Sequence, residues 1–302
     1  MKKAEEFRRA CLEVGAKLLL TGHDCADVDS VISCVLLQKL LRWWGIDAQI
    51  CLESADRQVR RVLPRFGIDA DGLCGEIREQ DCVVLADHHV PQHACRVIAC
   101  VDHHPTDYMP DYPLVWIEPC GACAHMALRL MREAGMPVGD EEIRLAVLAL
   151  YLDTIALRSA KIMPHEAAFA RSEAARLGMD INMLEREGLG LRDMTLPARE
   201  LAMTGKKVYA FDGRTVISTY VQTNEMTDER LEAILEAARA ALLLAGADRW
   251  VFLHHDPIAM CTTQYDLTPG GGTRVYRYDY LASRGRDVMP RVEREMRMEG
   301  GA

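Results

Sequence analysis

The feature that most restricts the fold is an alternation through the first half of the chain. Short apolar runs, several of them closed by a polar cluster, are interleaved with stretches of helical spacing. "AKLLLTG", "AQICLES", "CVVLADHH", "RVIACVDHH" and "LVWIEP" read as strands. "SVISCVLLQKLLRWWG", closed by Gly45, reads as a helix, as do "QVRRVLPRFG", "ACAHMALRLMREAG" and "EEIRLAVLALYLDT". Strands alternating with helices predict βαβ units, and hence an α/β fold with a parallel sheet. Ligands of such sheets bind at the carboxyl ends of the strands. Polar clusters placed there can converge in space.

After about residue 190 the texture changes. The chain of 302 residues is long enough for two domains. We read 1–190 as one domain and 197–302 as a second, smaller α/β domain. "LRDMTLPARELAMTGKK", with Pro197 and Gly205, reads as the connector. Beyond it come strand-like "KVYAF" and "RTVISTYVQT", a long helix from about Thr227 to Ala245, strand-like "DRWVFLHH", the glycine turn "TPGGGTR", then "VYRYDYL" and a terminal helix. There are no internal repeats.

Hydrophobic residues at 49% and charged residues at 27% suit a soluble globular protein. No apolar run reaches the roughly 20 residues of a membrane span, and the lysine-led N-terminus lacks a signal peptide's pattern. These features predict a cytoplasmic protein. A net charge of −9 disfavours an extended nucleic-acid partner, which needs a basic surface, and leaves room for a small phosphorylated ligand. The 11 cysteines, scattered through apolar runs, read as buried free thiols. Cys120 and Cys123 have redox or zinc spacing but lack a companion pair.

Four clusters carry the chemistry: His23 with Asp27 and Asp29; Asp87, His88 and His89; Asp102, His103 and His104; and Asp153 with Thr154. Imidazole and carboxylate without sulfur suit Mn²⁺, with Mg²⁺, Co²⁺ or Fe²⁺ as alternatives. So many converging carboxylates require cations to offset their repulsion and desolvation. Two ions about 3.5 to 4 Å apart can serve a phosphoryl transfer.

These stretches resemble the DHH phosphoesterase superfamily. "GHDCADVDSVIS" is similar to its first motif, "VVLADHHVPQ" to the second, "VDHHP" to the third and "LALYLDTIALRS" to the fourth. Within it the chain most resembles the branch of manganese-dependent family-II inorganic pyrophosphatases and exopolyphosphatases, through "IEPCGACA", Arg158-Ser159 and the C-terminal "SRGRDVMP" as well. The resemblance implies a DHH domain followed by a DHHA2-like domain that closes over the metal face. It implies that His23, Asp27, Asp29, Asp87, His103 and Asp153 bind two metal ions, with Asp29 and Asp87 touching or bridging both. His104 would hydrogen-bond the substrate phosphate or leaving oxygen, Asp102 would stand behind the ligands, and His88 would flank the second motif. Arg284, then Arg286 and Arg199, would bind phosphate, with Lys206 and Lys207 behind them and His89 on the substrate side. Asp24 is read mainly as a supporting or solvent contact, and His93, His125, His165, His254 and His255 as structural. Gly270 to Gly272 is either a phosphate cradle or a hairpin turn.

Three departures from the branch fall on the substrate side: Gly285 stands at a lysine, His89 at an asparagine, and Cys25-Ala26 at an Asn-Pro pair. The resulting expectation is a dinuclear-metal phosphohydrolase of pyrophosphate or short polyphosphate acting through metal-activated water, as a homodimer. The alternatives are a phosphodiesterase or phosphatase of short oligonucleotides or small nucleotides, and a non-catalytic metal or nucleotide sensor. The Gly-Gly-Gly-His of the nucleotide-acting branches reads Gly-Gly-Gly-Thr here.

Overall fold

The structure is a computed structural model that describes residues 2–12, 14, 18–106, 109–159, 161–189, 194 and 196–300. Ala16 and Lys17 of the first predicted strand lie outside the described residues. So do Gly190 at the predicted boundary and Leu191, Arg192, Asp193 and Thr195 of the predicted connector. The chain divides into two compact units, Met1–Gly188 and Leu189–Ala302.

The first unit runs α1 (Lys3–Leu12), β1 (Leu18–Thr21), α2 (Val28–Trp43), β2 (Ala48–Ile50), α3 (Arg57–Val62), β3 (Cys82–Ala86), β4 (Arg96–Asp102), β5 (Leu114–Ile117), α4 (Cys123–Glu133), α5 (Asp140–Asp153), α6 (Pro164–Arg176) and α7 (Ile181–Gly188). The five strands form one parallel sheet in the order β2-β1-β3-β4-β5. β3 is buried along its whole length, and β4 from its second residue onward, which is why both read as continuous apolar runs without alternation. Order reverses at β1, whose two neighbours, β2 and β3, both follow it in the chain. The crevice beyond the carboxyl ends of β1 and β3 is therefore the switch point at which such sheets bind ligands.

The second unit contains α8 (Ala198–Ala202), β6 (Lys207–Phe211), β7 (Arg214–Gln222), α9 (Asp228–Ala245), β8 (Arg249–Asp256), β9 (Cys261–Leu267), β10 (Thr273–Tyr278) and α10 (Met289–Gly300). Its sheet has the order β10-β9-β8-β7-β6, with only β7 and β8 parallel, because α9 supplies the crossover between them. Thr227 caps α9 by accepting the Arg230 N–H, and Gly246 ends it at φ +60°. Alternation along the strands sorts the core. Ile217, Val221, Trp250 and Phe252 pack with Ile234, Ala238 and Leu242 of α9, while Val216, Val251 and Leu253 pack with Val292 and Met296 of α10.

β9 was not among the predicted strands. Its inward face carries Thr262, Gln264 and Asp266, all buried, so the apolar alternation that marks a half-buried strand is absent. Those groups find polar partners instead: Tyr278 and Arg291 donate to Gln264 Oε1 at 2.8 and 2.6 Å. The Gly270–Gly272 segment is the hairpin turn between β9 and β10, with Gly271 at φ +84°.

Candidate metal centre

β1 ends at Thr21, and the following loop carries His23 into α2. Asp27 is the N-cap of that helix, its Oδ1 accepting the Ser30 N–H at 3.0 Å. Asp29 lies in the first turn of the helix, fully buried. Asp87 follows β3 in the left-handed region at φ +66°, and its own N–H is anchored on the Val101 carbonyl at 2.9 Å. Asp102 is the last residue of β4, with His103 and His104 directly after it, and Asp153 is the last residue of α5. Ile155, Ala156 and Leu157 after it all have positive φ, a strained turn that breaks the helix at the site.

These elements bring the six predicted ligands into two groups. His23, Asp27 and Asp87 form one; Asp29, His103 and Asp153 form the other. Asp87 faces both: its Oδ2 lies 3.7 Å from His23 Nε2 and its Oδ1 lies 3.1 Å from His103 Nε2. Ser30 Oγ donates to Asp87 Oδ2 at 2.7 Å. Asp29 stands differently from Asp87. Its Oδ2 is 3.8 Å from His103 Nε2, and both its oxygens accept backbone N–H groups of α4, from Cys123 at 2.6 Å and Ala124 at 2.8 Å.

Both histidines are held by a backbone carbonyl. His23 Nδ1 lies 2.8 Å from the Asp24 carbonyl and His103 Nδ1 lies 2.9 Å from the Cys120 carbonyl. A carbonyl only accepts, so each Nδ1 carries the proton and each Nε2 is presented to the carboxylates. Asp87 Oδ1 is buried and receives no hydrogen bond among the described residues. A carboxylate lone pair facing an imidazole lone pair needs a cation between them, and this is the test that the residue set passes as a divalent-metal centre.

A proton can supply that positive charge as well: burial works to lower His23 and His103, but neighbouring carboxylates outweigh it and push both up to about 10. A bound ion would take the place of those protons. Asp27 stays ionised, its pKa held down to about 2 against burial by His23 and the Ser30 N–H. Burial and the charges of Asp87 and Asp153 push Asp29 well above the carboxylate range, and burial raises Asp153 as well. A site that strains its own acids in this way is built to take up positive charge. Lys161, not singled out in the sequence, supplies part of it by bonding Asp153 Oδ2. Its only mark in the sequence is proximity to the fourth motif.

Asp102 lies behind the centre, fully buried, and orients two rings. Its Oδ1 is 2.8 Å from His104 Nδ1 and its Oδ2 is 2.5 Å from His89 Nδ1. The hydrogen bond to Asp102 raises His104, whose side chain is half exposed. His88 instead bonds the Ala86 carbonyl at 3.0 Å, and burial lowers it. Asp24 is exposed and contributes through its carbonyl. His93 pairs with Glu53 at 3.0 Å, His165 is exposed, and His254 bonds the Thr223 carbonyl at 2.9 Å.

The predicted phosphate-binding cations lie in the second unit. Arg284 Nη1 donates to the carbonyls of Gly205 and Ser218, with its guanidinium 5.5 Å from the Tyr220 ring centre. Arg286 pairs with Asp287, and Arg199, Lys206 and Lys207 are exposed. All eleven cysteines are free. Cys120 and Cys123 form no disulfide: Cys123 Sγ donates to the Val101 carbonyl at 3.2 Å, while Cys120 Sγ lies 2.7 Å from Glu166 Oε1.

Residues 17–156 match the DHH family, N-terminal domain. The chain carries a DHH-family N-terminal domain and is a phosphohydrolase. A Bacillus licheniformis protein named as a manganese-dependent inorganic pyrophosphatase is 26% identical over 262 residues, covering 80% of this chain and 82% of that protein. A Streptococcus mutans protein of the same name is 27% identical over 258 residues, covering 80% and 83%. Among solved structures, a Methanococcus jannaschii protein assigned to the family II inorganic pyrophosphatases superposes with a TM-score of 0.71 at 21% identity, covering 92% of this chain and 98% of that one. An exopolyphosphatase-related protein from Bacteroides fragilis gives 0.51 at 16% identity, covering 98% of each. These two share the chain's α/β fold. No helix among the described residues is long and apolar enough to cross a membrane.

Proposed function

We propose that this DHH phosphohydrolase cleaves phosphoanhydride bonds of pyrophosphate or short polyphosphates, using two divalent ions, with manganese the first choice. The observation that carries this reading is the position of Asp87, whose two oxygens face His23 and His103 in separate ligand groups. A carboxylate so placed can serve two ions at once. Relatives named as manganese-dependent inorganic pyrophosphatases over four fifths of the chain support the metal and the substrate class.

Two ions held there would neutralise phosphate charge and lower the pKa of bound water. The chain's own residues do the rest. His23, Asp27 and Asp87 would hold one ion, and Asp29, Asp87, His103 and Asp153 the other. His104, its pKa raised by the hydrogen bond to Asp102, would in its protonated form donate to a phosphate or leaving oxygen through Nε2. His89, on the other Asp102 oxygen, would present a second ring on the substrate side. Arg284 is the guanidinium we assign to phosphate.

The test is phosphate release by the purified protein in Mn²⁺, comparing pyrophosphate, tripolyphosphate, long-chain polyphosphate, 3′-phosphoadenosine-5′-phosphate and a short RNA. Dominant release from the inorganic substrates is expected. A preference for the nucleotides would reject the phosphoanhydride reading and favour a phosphodiesterase or phosphatase.

A further inference from the structure

Behind His103, three metal-binding side chains that the dinuclear centre does not use come together. Cys120 lies in the turn after β5, His125 in the first turn of α4, and Glu166 in the first turn of α6. They are 3%, 5% and 2% exposed. Cys120 Sγ is 2.7 Å from Glu166 Oε1, His125 Nδ1 is 3.1 Å from the same oxygen, and sulfur and nitrogen are 3.9 Å apart. The other carboxylate oxygen is committed to the backbone, accepting the N–H of Gly121 at 3.0 Å and of Met163 at 2.9 Å. The His125 ring stacks on Phe169 at 5.1 Å, which fixes the direction of its nitrogen. One sulfur, one nitrogen and one oxygen therefore point at a common, dry place.

We propose that Cys120, His125 and Glu166 form a separate site for one thiophilic divalent ion of the zinc and cobalt class. Bond lengths of about 2.3 Å to sulfur and 2.0–2.1 Å to nitrogen and oxygen give tetrahedral edges of about 3.6 Å for sulfur pairs and about 3.3 Å for nitrogen to oxygen. The sulfur–nitrogen and nitrogen–oxygen separations already lie near those values, and the sulfur–oxygen pair opens by a rotation of the Glu166 carboxylate. The charge balance favours exchange. Burial works against ionisation of Glu166, yet hydrogen bonds from His125, Cys120 and the Met163 N–H hold it down to about 2, so the carboxylate brings one negative charge to the cluster. Binding M²⁺ expels the thiol proton to solvent and moves the imidazole proton to Nε2. Thiolate, carboxylate and ion then sum to zero. Sulfur selects against the harder ions that suit the carboxylate-rich centre.

The site touches that centre through a single peptide, since the Cys120 carbonyl accepts from His103 Nδ1. An ion on Cys120 thus holds the turn that orients His103. The inference rests on these three side chains and not on the substrate assigned above.

The experiment is a cobalt(II) titration of the full chain carrying Cys25→Ser and Cys74→Ser, which removes the two exposed thiols. The readout is the near-ultraviolet thiolate-to-cobalt charge-transfer band, which a centre of imidazoles and carboxylates does not give. The band is expected to saturate at the intensity of one thiolate-bound cobalt per chain, to be displaced by excess zinc, and to survive Asp87→Asn. Cys120→Ser, which keeps a small donor towards Glu166, is expected to abolish it, and His125→Gln to weaken cobalt binding at least tenfold should the serine variant not fold. Absence of the band at saturating cobalt, or a band that persists in Cys120→Ser, would overturn the proposal. Neither result depends on phosphate release, so the two readings fail separately.

Discussion

Asp29 accepts the backbone N–H of Cys123 at 2.6 Å, from a residue 94 positions away. With Ala124 on its other oxygen it serves as the cap of α4, whose own N-cap residue, Ala122, has no side chain able to do so. The carboxylate expected from the sequence to be a metal ligand thus also ties α2 to α4 and faces the N-terminal end of that helix's dipole.

A double role separates two substitutions. Asp29→Asn keeps a carbonyl oxygen for the α4 amides, whereas Asp29→Ala leaves them buried without an acceptor. In chelator, the asparagine variant should be more stable than the alanine variant by about 1 kcal/mol, the usual worth of a cap. Urea unfolding measures this. Equal midpoints would show that Asp29 acts on metal alone.

Asp87 has no such structural double. Asp87→Asn preserves shape and the bond from Ser30, but removes the charge that both ligand groups share. Bound metal at the dinuclear centre should fall from two ions to one or none, and turnover by at least about a hundredfold, on the order of the loss when a ligand environment is disrupted. Equilibrium dialysis followed by metal analysis checks it. Normal stoichiometry in the variant would exclude the shared-carboxylate arrangement.

Much of this was legible because a parallel sheet writes itself into sequence as apolar runs, and its ligands gather where those runs stop. Asp87 and Asp102 to His104 were visible for that reason alone. What could not be read is what depends on packing between distant elements: Asp29 on the α4 amides, Asp102 shared between His89 and His104, and Lys161 on Asp153. β9 escaped notice because its buried face is Thr262, Gln264 and Asp266, residues whose types predict exposure until partners are known.

Gly285 stands where the resemblance places a lysine, and a Cβ built there meets nothing within 4 Å. Gly285→Lys should therefore fold normally. It should raise kcat/KM for pyrophosphate about tenfold, the value of one charge-assisted hydrogen bond of about 1.5 kcal/mol. Little change for a nucleotide substrate is expected. Equal gains on both substrates, or none, would detach position 285 from recognition of inorganic phosphate.

Arg284 poses the complementary question, because in this structure its guanidinium rests on the carbonyls of Gly205 and Ser218. As a phosphate ligand it must present its remaining N–H groups to substrate. Arg284→Ala should raise KM or lower kcat with bound metal unchanged. Arg284→Lys should recover only part of the loss, since a lysine lacks the planar fork. An unaltered kcat/KM in the alanine variant would remove Arg284 from the site.

His255 lies at the end of β8, its Nδ1 2.8 Å from Thr262 Oγ1 and its ring 5.8 Å from that of Tyr220. Burial, then His254 and Arg284, push it down to about 4. The folded chain therefore keeps this imidazole neutral, while the unfolded chain protonates it near 6.5. Its folded value is depressed, so its contribution to stability is complete above about pH 6.5 and is lost as pH falls towards 4. Between pH 7.5 and 4.5 the wild type should lose more stability than His255→Gln, by on the order of 2 kcal/mol. Thermal unfolding of both proteins across that range gives the comparison. Parallel curves would mean that His255 is not held neutral in the fold.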